Sequence, residues 1–466
     1  MSVTVTLHAQ RDSTFPFSQR DILSRPAADT LRLEELFAAI NANHPKLRAA
    51  ILGVERADAS VMRAWGTLDP QLRSQYNVKQ QDGKFKNNEF GGDLTVPIYW
   101  GPKVVAGFRR NLGFFDQDVL TPESGELSVA LQVPLWRNIM IDKNRASIQK
   151  AEALQPGAQA NLTEQRNELF LKSSEKYWDW SAAYQKFRIA QQLLTIAEFR
   201  FESIKQEVQR GERAIIDSVE AYQEIQRRLG SYVKSRRDVE KAIIAVSIFL
   251  WNADGTSAAI PIAIAPASLP APQLLNFNQY GADKSNALLF RPELLELNAE
   301  YDAAGVDVRF ANEQWKPEVN VKFAPFSQQF SQGLGGQTGL NYKLGIDFAL
   351  PLIQRDARGQ FALADIKQRE VDLKRRLMQR DVEADVDDAA SEVIAAYEQA
   401  QAAQLERAAA VTMEQSEREL FTRGESNLFT VNIRERASAE AQQREVDALA
   451  TFHKAAARYR WATARF

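Results

Sequence analysis

The chain contains no cysteine. That removes disulfides, thiolate zinc sites, a cysteine nucleophile and the cysteine that carries an N-terminal lipid anchor. Histidine occurs three times, at His8, His44 and His453, with no pair at i,i+4 spacing. There is no P-loop and no Gly-x-Gly-x-x-Gly, so the convergent nucleophile, base, metal ligands or phosphate cradle of an enzyme are missing. Neither an enzyme nor a cofactor is expected. Charge of one sign is missing too: 58 Lys+Arg stand against 60 Asp+Glu, a net charge of -2, with no basic block to suggest nucleic acid. No window reaches the roughly 18 to 20 apolar residues of a membrane-spanning helix, the nearest, Ala242 to Trp251, being interrupted by Ser247. Glycine (22) and proline (17) are scarce in 466 residues, which favours long helices.

The chain does hold a duplication. His44-Pro45-Lys46-Leu47 followed by Pro70 matches Arg291-Pro292-Glu293-Leu294 followed by Pro317, at an offset of 247. Leu127, Val129, Leu131, Val133 and Pro134 match Leu344, Ile346, Phe348, Leu350 and Pro351 at an offset of 217. Ala182-Ala183-Tyr184 and Arg210-Gly211-Glu212 match Ala395-Ala396-Tyr397 and Arg423-Gly424-Glu425 at an offset of 213. Repeats of this order outweigh any single motif. The falling offset places about 30 extra residues in the first copy between Pro70 and Leu127, an enlarged loop or hairpin, and four more between Pro134 and Ala182. Leu154-Gln155-Pro156-Gly157 is read as a kink or insertion that accounts for those four.

Each copy reads as a helix of about 30 residues, two strands, a very long helix, a turn at Arg-Gly-Glu and a second long helix. Strands show as alternation: Leu127, Val129, Leu131 and Val133 against Ser128, Ala130 and Gln132, and Val319, Val321 and Phe323 against Glu318, Asn320 and Lys322. The remaining strand of the first copy is placed at Lys103 to Arg109 or at Leu72 to Val78. Trp180, Phe187, Leu194, Phe201 and Val208 recur every seven residues, with Ala183, Ala190, Ala197 and Ile204 between them. Tyr222, Leu229, Ile243 and Leu250 and then Ile225, Tyr232, Val239 and Val246 do the same after the turn. Such heptads impose left-handed supercoiling, over roughly 105 Å of helix from about Ile139 to Gln209. The expected class is mainly α with a β portion. Its boundaries are an N-terminal extension over 1–29; a first repeat over 30–252, with strands within about 70–136 and a coiled-coil hairpin at about 139–252; a Pro-rich connector over 253–282; and a second repeat over 283–466, with strands at about 317–352 and a hairpin at about 356–465.

Leu33-Glu34-Glu35-Leu36 with His44-Pro45-Lys46-Leu47, Arg291-Pro292-Glu293-Leu294, the strand-Pro-Leu motifs ending at Leu135 and Leu352, and the duplicated Arg-Gly-Glu turns make the chain resemble TolC-type outer-membrane efflux channels over nearly its full length. The resemblance implies a homotrimer in which each chain gives four strands to a shared twelve-stranded membrane β-barrel above an α-helical periplasmic tunnel. Its implied partners are a periplasmic adaptor, an inner-membrane transporter and outer-membrane lipid. The implied function is the exit duct of a tripartite efflux or type I secretion system, at the cell outer membrane. Ser2 to Asp21 has neither a basic n-region nor an apolar h-region, so the native export signal is expected outside the sequence given.

For the barrel, the alternation puts Leu127, Val129, Leu131, Val133, Val319, Val321, Phe323, Leu344, Ile346, Phe348 and Leu350 toward lipid and Gln132, Asn320, Lys322 and Asp347 toward water. Tyr99, Trp100, Phe114, Phe115 and Trp136 are candidates for interfacial belts or loop packing. At the other end, glycine after a helix is a left-handed C-cap on its own terms. The resemblance further implies that Arg210, Gly211, Asp217, Phe421, Arg423, Gly424, Ser426 and Thr430 belong to the periplasmic tip, its gate and its adaptor-docking surface. Phe421 stands where the family often has a gate tyrosine, while Ser426, Thr430 and Ile433 stand where well-known members carry an arginine and two aspartates. Arg423 is the cation expected beside Asp217. The alternative, a periplasmic coiled-coil adaptor or other structural interaction protein, would carry one helical hairpin, not two joined through matched strands. A soluble protein with two small sheets and helical spacers would leave strand edges uncovered.

Overall fold

The computed structural model describes residues 29–81, 84–113, 125–261, 264–274, 276, 279–327 and 341–466. They group into two compact units, one built from the described residues up to 48 with 165–287 and 383–466, the other from 49–164 and 288–382. The N-terminal extension up to residue 28 and the belt candidates Phe114 and Phe115 lie outside the described residues.

In chain order the first repeat runs β1 (Asp29–Leu31), α1 (Leu33–Asn43), α2 (Pro45–Trp65), β2 (Gln71–Gln81), β3 (Lys84–Pro97), β4 (Lys103–Gly113), β5 (Glu126–Pro134), α3 (Lys143–Gln209) and α4 (Ile215–Ser247). After β6 (Ile264–Pro266) the second runs α5 (Tyr280–Phe290), α6 (Pro292–Glu313), β7 (Glu318–Ser327), β8 (Tyr342–Ala349), α7 (Arg355–Thr422) and α8 (Leu428–Ala462). The expected 30-residue helix is a pair in both repeats, broken at matched residues. His44 (φ -66°, ψ 126°) and Arg291 (φ -61°, ψ 123°) are extended because each precedes a proline, whose ring excludes helical backbone there.

The first repeat departs from the two-strand reading. Both candidate segments are strands, β2 and β4, and β3 lies between them. The sheet has six antiparallel strands in the order β2-β3-β4-β5-β7-β8, against four implied by the family resemblance. By the offset of 247, β2 is the counterpart of β7, and by 217 β5 is that of β8, so the hairpin β3–β4 is the extra material.

The helix does not end at Leu154 to Gly157, since α3 is continuous through Pro156. Gly157 instead lets α6 approach: a Cβ there would sit 3.2 Å from that of Ala299. The additional residues lie upstream, in the connection from β5 to α3, where the offset drops from 217 at Pro134 to 212 at Lys143. Arg145, buried, fastens that longer connection by donating to the carbonyl oxygens of Ile139 (2.8 Å), Met140 (3.1 Å) and Asn138.

In the helical unit the heptad seam is the core away from the turns, but near the first turn it departs from the expected phase: Tyr222 is exposed, and Ala221, Glu224 and Arg228 take the buried side of α4 because charged side chains meet there. Trp180, Phe187, Val239 and Val246 are fully buried, and Phe187 meets Tyr232 at 5.4 Å between ring centroids. The connector is not a free linker, since β6 pairs in parallel with β1 and the Tyr177 hydroxyl donates to Leu31 O (2.8 Å) while accepting from Ala267 N (3.1 Å). Among the described residues no helix is long and apolar enough to cross a membrane, and no cluster of His, Asp and Glu could hold a metal ion.

Candidate functional site

Two places concentrate unusual chemistry: the hairpin turns of the helical unit and one face of the sheet. At the turns, Gly211 (φ +76°) and Gly424 (φ +79°) occupy the left-handed region that side chains resist. Each closes the same motif. Gly211 N donates to Val208 O (3.0 Å) and Glu212 N to Glu207 O (2.9 Å), and Gly424 N donates to Phe421 O (3.0 Å) and Glu425 N to Leu420 O (2.9 Å). These are Schellman caps, which satisfy carbonyls that the last helical turn leaves open.

The side chains on the two turns differ. In the first, Arg213 pairs with Glu207, lies 4.0 Å from Asp217 and sits over the Phe421 ring at 5.1 Å from its centroid. Within the chain, then, Arg213 is the cation beside Asp217. Arg423 instead approaches Glu419 at 3.8 Å, and Arg210 pairs with Glu212 at 3.1 Å; both arginines are exposed. In the second turn the Ser426 hydroxyl donates to Glu417, and the Thr430 amide (2.9 Å) and hydroxyl (3.0 Å) donate to Asn427 Oδ1. Phe421, half-buried, packs with Ile204, Ala221 and Leu428. A cavity of about 590 Å³ lies between the turns, lined by Arg213, Asp217, Phe421, Gly424, Ser426 and Asn427 among others. Around it Ile215, Ile216 and Phe429 are exposed.

Further along the same helices lies a cluster the sequence reading did not find. The Glu435 carboxylate, with no exposed surface, receives Arg200 from α3, Arg228 Nη2 from α4 (2.8 Å) and Arg418 Nε from α7 (3.1 Å). Arg228 Nε also donates to Glu224 (2.8 Å), and Arg200 Nη1 to Asn432 (3.0 Å). Burial alone would push the Glu435 pKa up. The Arg200 hydrogen bond and the charges of Arg200, Arg228 and Arg418 outweigh burial and hold it below the usual carboxylate range. The one trace in the sequence was for α4 alone: Glu224 and Arg228 stand at helical spacing between Ala221 and the seam residue Tyr232, all four buried.

On the sheet, register aligns the alternation across all six strands. One row reads Leu72, Leu94, Ala106, Val129 from β2 to β5, and another Val104, Leu131, Phe323, Leu344 from β4 to β8. Val133, Val321 and Ile346 continue this face, as do Val319 with Phe348, and Leu127 opposite Phe108. It is open to solvent: Leu72 is 79% exposed, Ile346 68% and Phe348 66%. Leu350 follows β8 and is exposed as well. The opposite face carries Arg73 against Asp93, Gln132 against Lys322, and Asn320 against Asp347. Lys343 reaches across β7 to Glu126 at 2.7 Å. At the strand ends Tyr99 stacks on Trp65 (5.5 Å), and Trp100 and Trp136 are exposed.

Compared with known proteins, residues 36–248 and 284–464 match the family model described as outer membrane efflux protein. None of the curated proteins matches the chain in sequence. Among solved structures, the outer-membrane channel OprN is 14% identical with a TM-score of 0.65, over 96% of this chain and 92% of that one. CusC is 15% identical with a TM-score of 0.65, over 98% and 99%. The outer membrane protein VceC from Vibrio cholerae is 14% identical with a TM-score of 0.62, over 92% and 95%. At these identities the likeness is one of fold, and the fold is TolC-like.

Proposed function

The chain belongs to the outer membrane efflux protein family, whose members are transport channels and not enzymes, and from that premise we propose that it forms the outer-membrane exit duct of a tripartite efflux or type I secretion system. The observation that carries this reading is the six-strand apolar face. A sheet whose rows of Leu, Val, Ile and Phe share one face, interrupted by Ser74, Asn88 and Arg110 toward one end, and whose other face carries charged and amide groups matches the alternation of a membrane barrel wall. One chain cannot close that barrel, since the smallest have about eight strands, so copies share it, and the resemblance to TolC-type channels makes their number three. The apolar face meets outer-membrane lipid, the polar face lines water, and the long helices form the periplasmic tunnel.

The turns at Gly211 and Gly424 form the tunnel's far end. There Arg210, Gly211, Asp217, Phe421, Arg423, Gly424, Ser426 and Thr430 serve the gate and dock a periplasmic adaptor, itself coupled to an inner-membrane transporter. Asp217 and Arg213 act as a local clasp on the first turn. A wide aqueous lumen selects little, so the transporter sets the substrate.

Reconstitution in planar bilayers tests this. The purified protein should extract from outer membranes only with detergent, run as a heat-sensitive trimer and conduct ions, and Asp217→Ala should raise its conductance. A detergent-free soluble monomer would instead support the adaptor reading. Unchanged conductance in Asp217→Ala would take that residue out of the gate and leave the channel standing.

A further inference from the structure

The two repeats differ by one hairpin, and its position in the sheet has a consequence for the pore. In the second repeat β7 and β8 are direct neighbours. Their counterparts β2 and β5 are not, because β3 and β4 lie between them. The insertion is hydrogen-bonded into the sheet on both sides, β3 to β2 through Leu72↔Leu94 and Tyr76↔Phe90, and β4 to β5 through Val104↔Leu131 and Phe108↔Leu127. It also keeps the phase of the sheet. Leu94 and Val96 on β3 and Val104 and Ala106 on β4 stand opposite one another on the apolar face. A decorative loop has no need of that alternation, since a slip of one residue would turn each apolar side chain to the wrong side.

The insertion also adds an even number of strands, so the edges remain compatible. In an antiparallel sheet of six, β2 and β8 run in opposite directions, and each has one edge unpaired among the described residues. The β8 edge of one copy can therefore meet the β2 edge of another in antiparallel sense, and repetition of that contact would close a ring.

We propose that the β3–β4 hairpin is an integral widening of the barrel: each subunit contributes six strands, β8 pairs with β2 of the adjacent copy, and three copies close an eighteen-stranded wall in place of a twelve-stranded one. This rests on the trimeric channel reading above. Because barrel diameter grows roughly linearly with strand number, the pore mouth is about one and a half times as wide as twelve strands would make it, and about twice the cross-section. The helical hairpins remain two per subunit, so the widening is confined to the membrane end.

The sequence contains its own control. Deleting residues 84–113 removes β3 and β4 and leaves 14 residues between Gln81 and Glu126, the same number that separates Ser327 from Tyr342. Transferring the β7–β8 register (Val319↔Phe348, Val321↔Ile346, Phe323↔Leu344) to β2 and β5 sets Leu72 opposite Leu131, Ser74 opposite Val129 and Tyr76 opposite Leu127. All six are on the apolar face, so the shortened chain carries a complete four-strand sheet.

The test images the full-length protein and the deletion variant in lipid nanodiscs and counts strands by electron cryomicroscopy. Polymer exclusion from the external mouth is measured in parallel. Eighteen strands in the full-length protein, twelve in the variant and an external mouth about twofold smaller in cross-section are expected. The strand count of the full-length protein decides the widening even if the variant fails to assemble, and cross-linking tests the closing contact between copies. The chain has no native cysteine, so Ser74→Cys on β2 combined with a cysteine walked through Leu344, Ile346 and Phe348 on β8 reports only the engineered pair. Covalent dimers and trimers are expected from at least one pair. A full-length trimer with twelve strands, the β3–β4 hairpin lying outside the wall, overturns the widening while leaving the channel intact. A protein that forms no membrane barrel overturns the channel reading beneath it.

Discussion

At Gly211 and Gly424 the backbone turns with φ of +76° and +79° and the same pair of capping hydrogen bonds, yet the groups hung on the two turns share little. Where the first has Ala214, Arg213 and Asp217, the second has Asn427, Ser426 and Thr430. The first turn opens α4 with no side-chain cap and surrounds it with charge; the second opens α8 with an asparagine cap and hydroxyls. Duplication has kept the geometry that physics makes expensive to change, a left-handed residue at a helix end, and released the side chains around it. The same asymmetry recurs deeper in the bundle. Glu435 collects three arginines, while Tyr222, its counterpart 213 residues earlier, is exposed and meets Phe201 at 5.8 Å. The two helical hairpins are therefore alike in trace and unlike in what fastens them.

The largest effect should come from cutting that fastening. Glu435→Ala leaves Arg228 and Arg200 without their shared carboxylate, and breaking a buried ion cluster from one side costs about 3 to 5 kcal/mol. Thermal unfolding of the purified protein measures it, with Tyr222→Phe as the matched control expected within about 0.5 kcal/mol. Acid should act on the same group. Because its folded pKa lies below the unfolded value, its contribution is fully present above the unfolded carboxylate range and is lost as pH falls through the folded pKa. The acid dependence of stability should flatten in Glu435→Ala. A variant as stable and as acid-sensitive as the parent would mean the cluster fastens nothing.

Next in size is the sheet. Leu131 and Phe348 are repeat counterparts, and both lie on the apolar face. Arginine at either should weaken assembly by about 2 to 4 kcal/mol if the position is at mid-membrane, read as trimer yield after detergent extraction. Leu131 has strands on both sides and Phe348 stands on the edge strand β8, so equal penalties would indicate that another chain covers that edge. Normal yield for both would take the sheet out of the membrane.

Smaller again, Gly211→Ala and Gly424→Ala should each cost about 1 to 2 kcal/mol, the strain of a left-handed alanine. Neither site has an atom within 4 Å of the added Cβ, so sterics contribute nothing and the two costs should be equal. Unequal values in chemical denaturation would show that the turns are strained differently after all.

The duplication, the heptad seams and the order of elements were legible because each is a periodic pattern repeated over many residues. Trp180, Phe187 and Val239 stand on the buried side, where a seven-residue spacing puts them. In the added hairpin β4 was legible as the Lys103 to Arg109 candidate, and β3 was not. β3 carries Gly91, Gly92, Asp93 and Asn88 among its apolar residues, a composition that reads as a loop until the register with β2 and β4 is known. Glu435 was hidden for a different reason. A glutamate on a long charged helix is usually solvated, and nothing local marks the one that three distant arginines will meet. Pro156 misled in the other direction, since a proline that ends most helices is tolerated inside α3.

The finest distinction between the hairpins is the cap itself, and it can be exchanged. In α8 the Asn427 Oδ1 accepts from Thr430 N at 2.9 Å, satisfying one of the amides that the first helical turn leaves open. Ala214 holds the same place before α4, with φ -71° and ψ 146° already extended as a cap requires, and has no side-chain oxygen to offer. Asn427→Ala should therefore cost about 1 kcal/mol, and Ala214→Asn should gain a similar amount. The double variant should come back close to the parent stability, because the two turns are separate caps that do not share a donor. Urea denaturation midpoints of the four proteins decide it. If Ala214→Asn stabilises nothing, then Asp217, three residues on, already serves those amides electrostatically in the first turn of α4, and the charged turn is a substitute for the cap and not merely a turn without one.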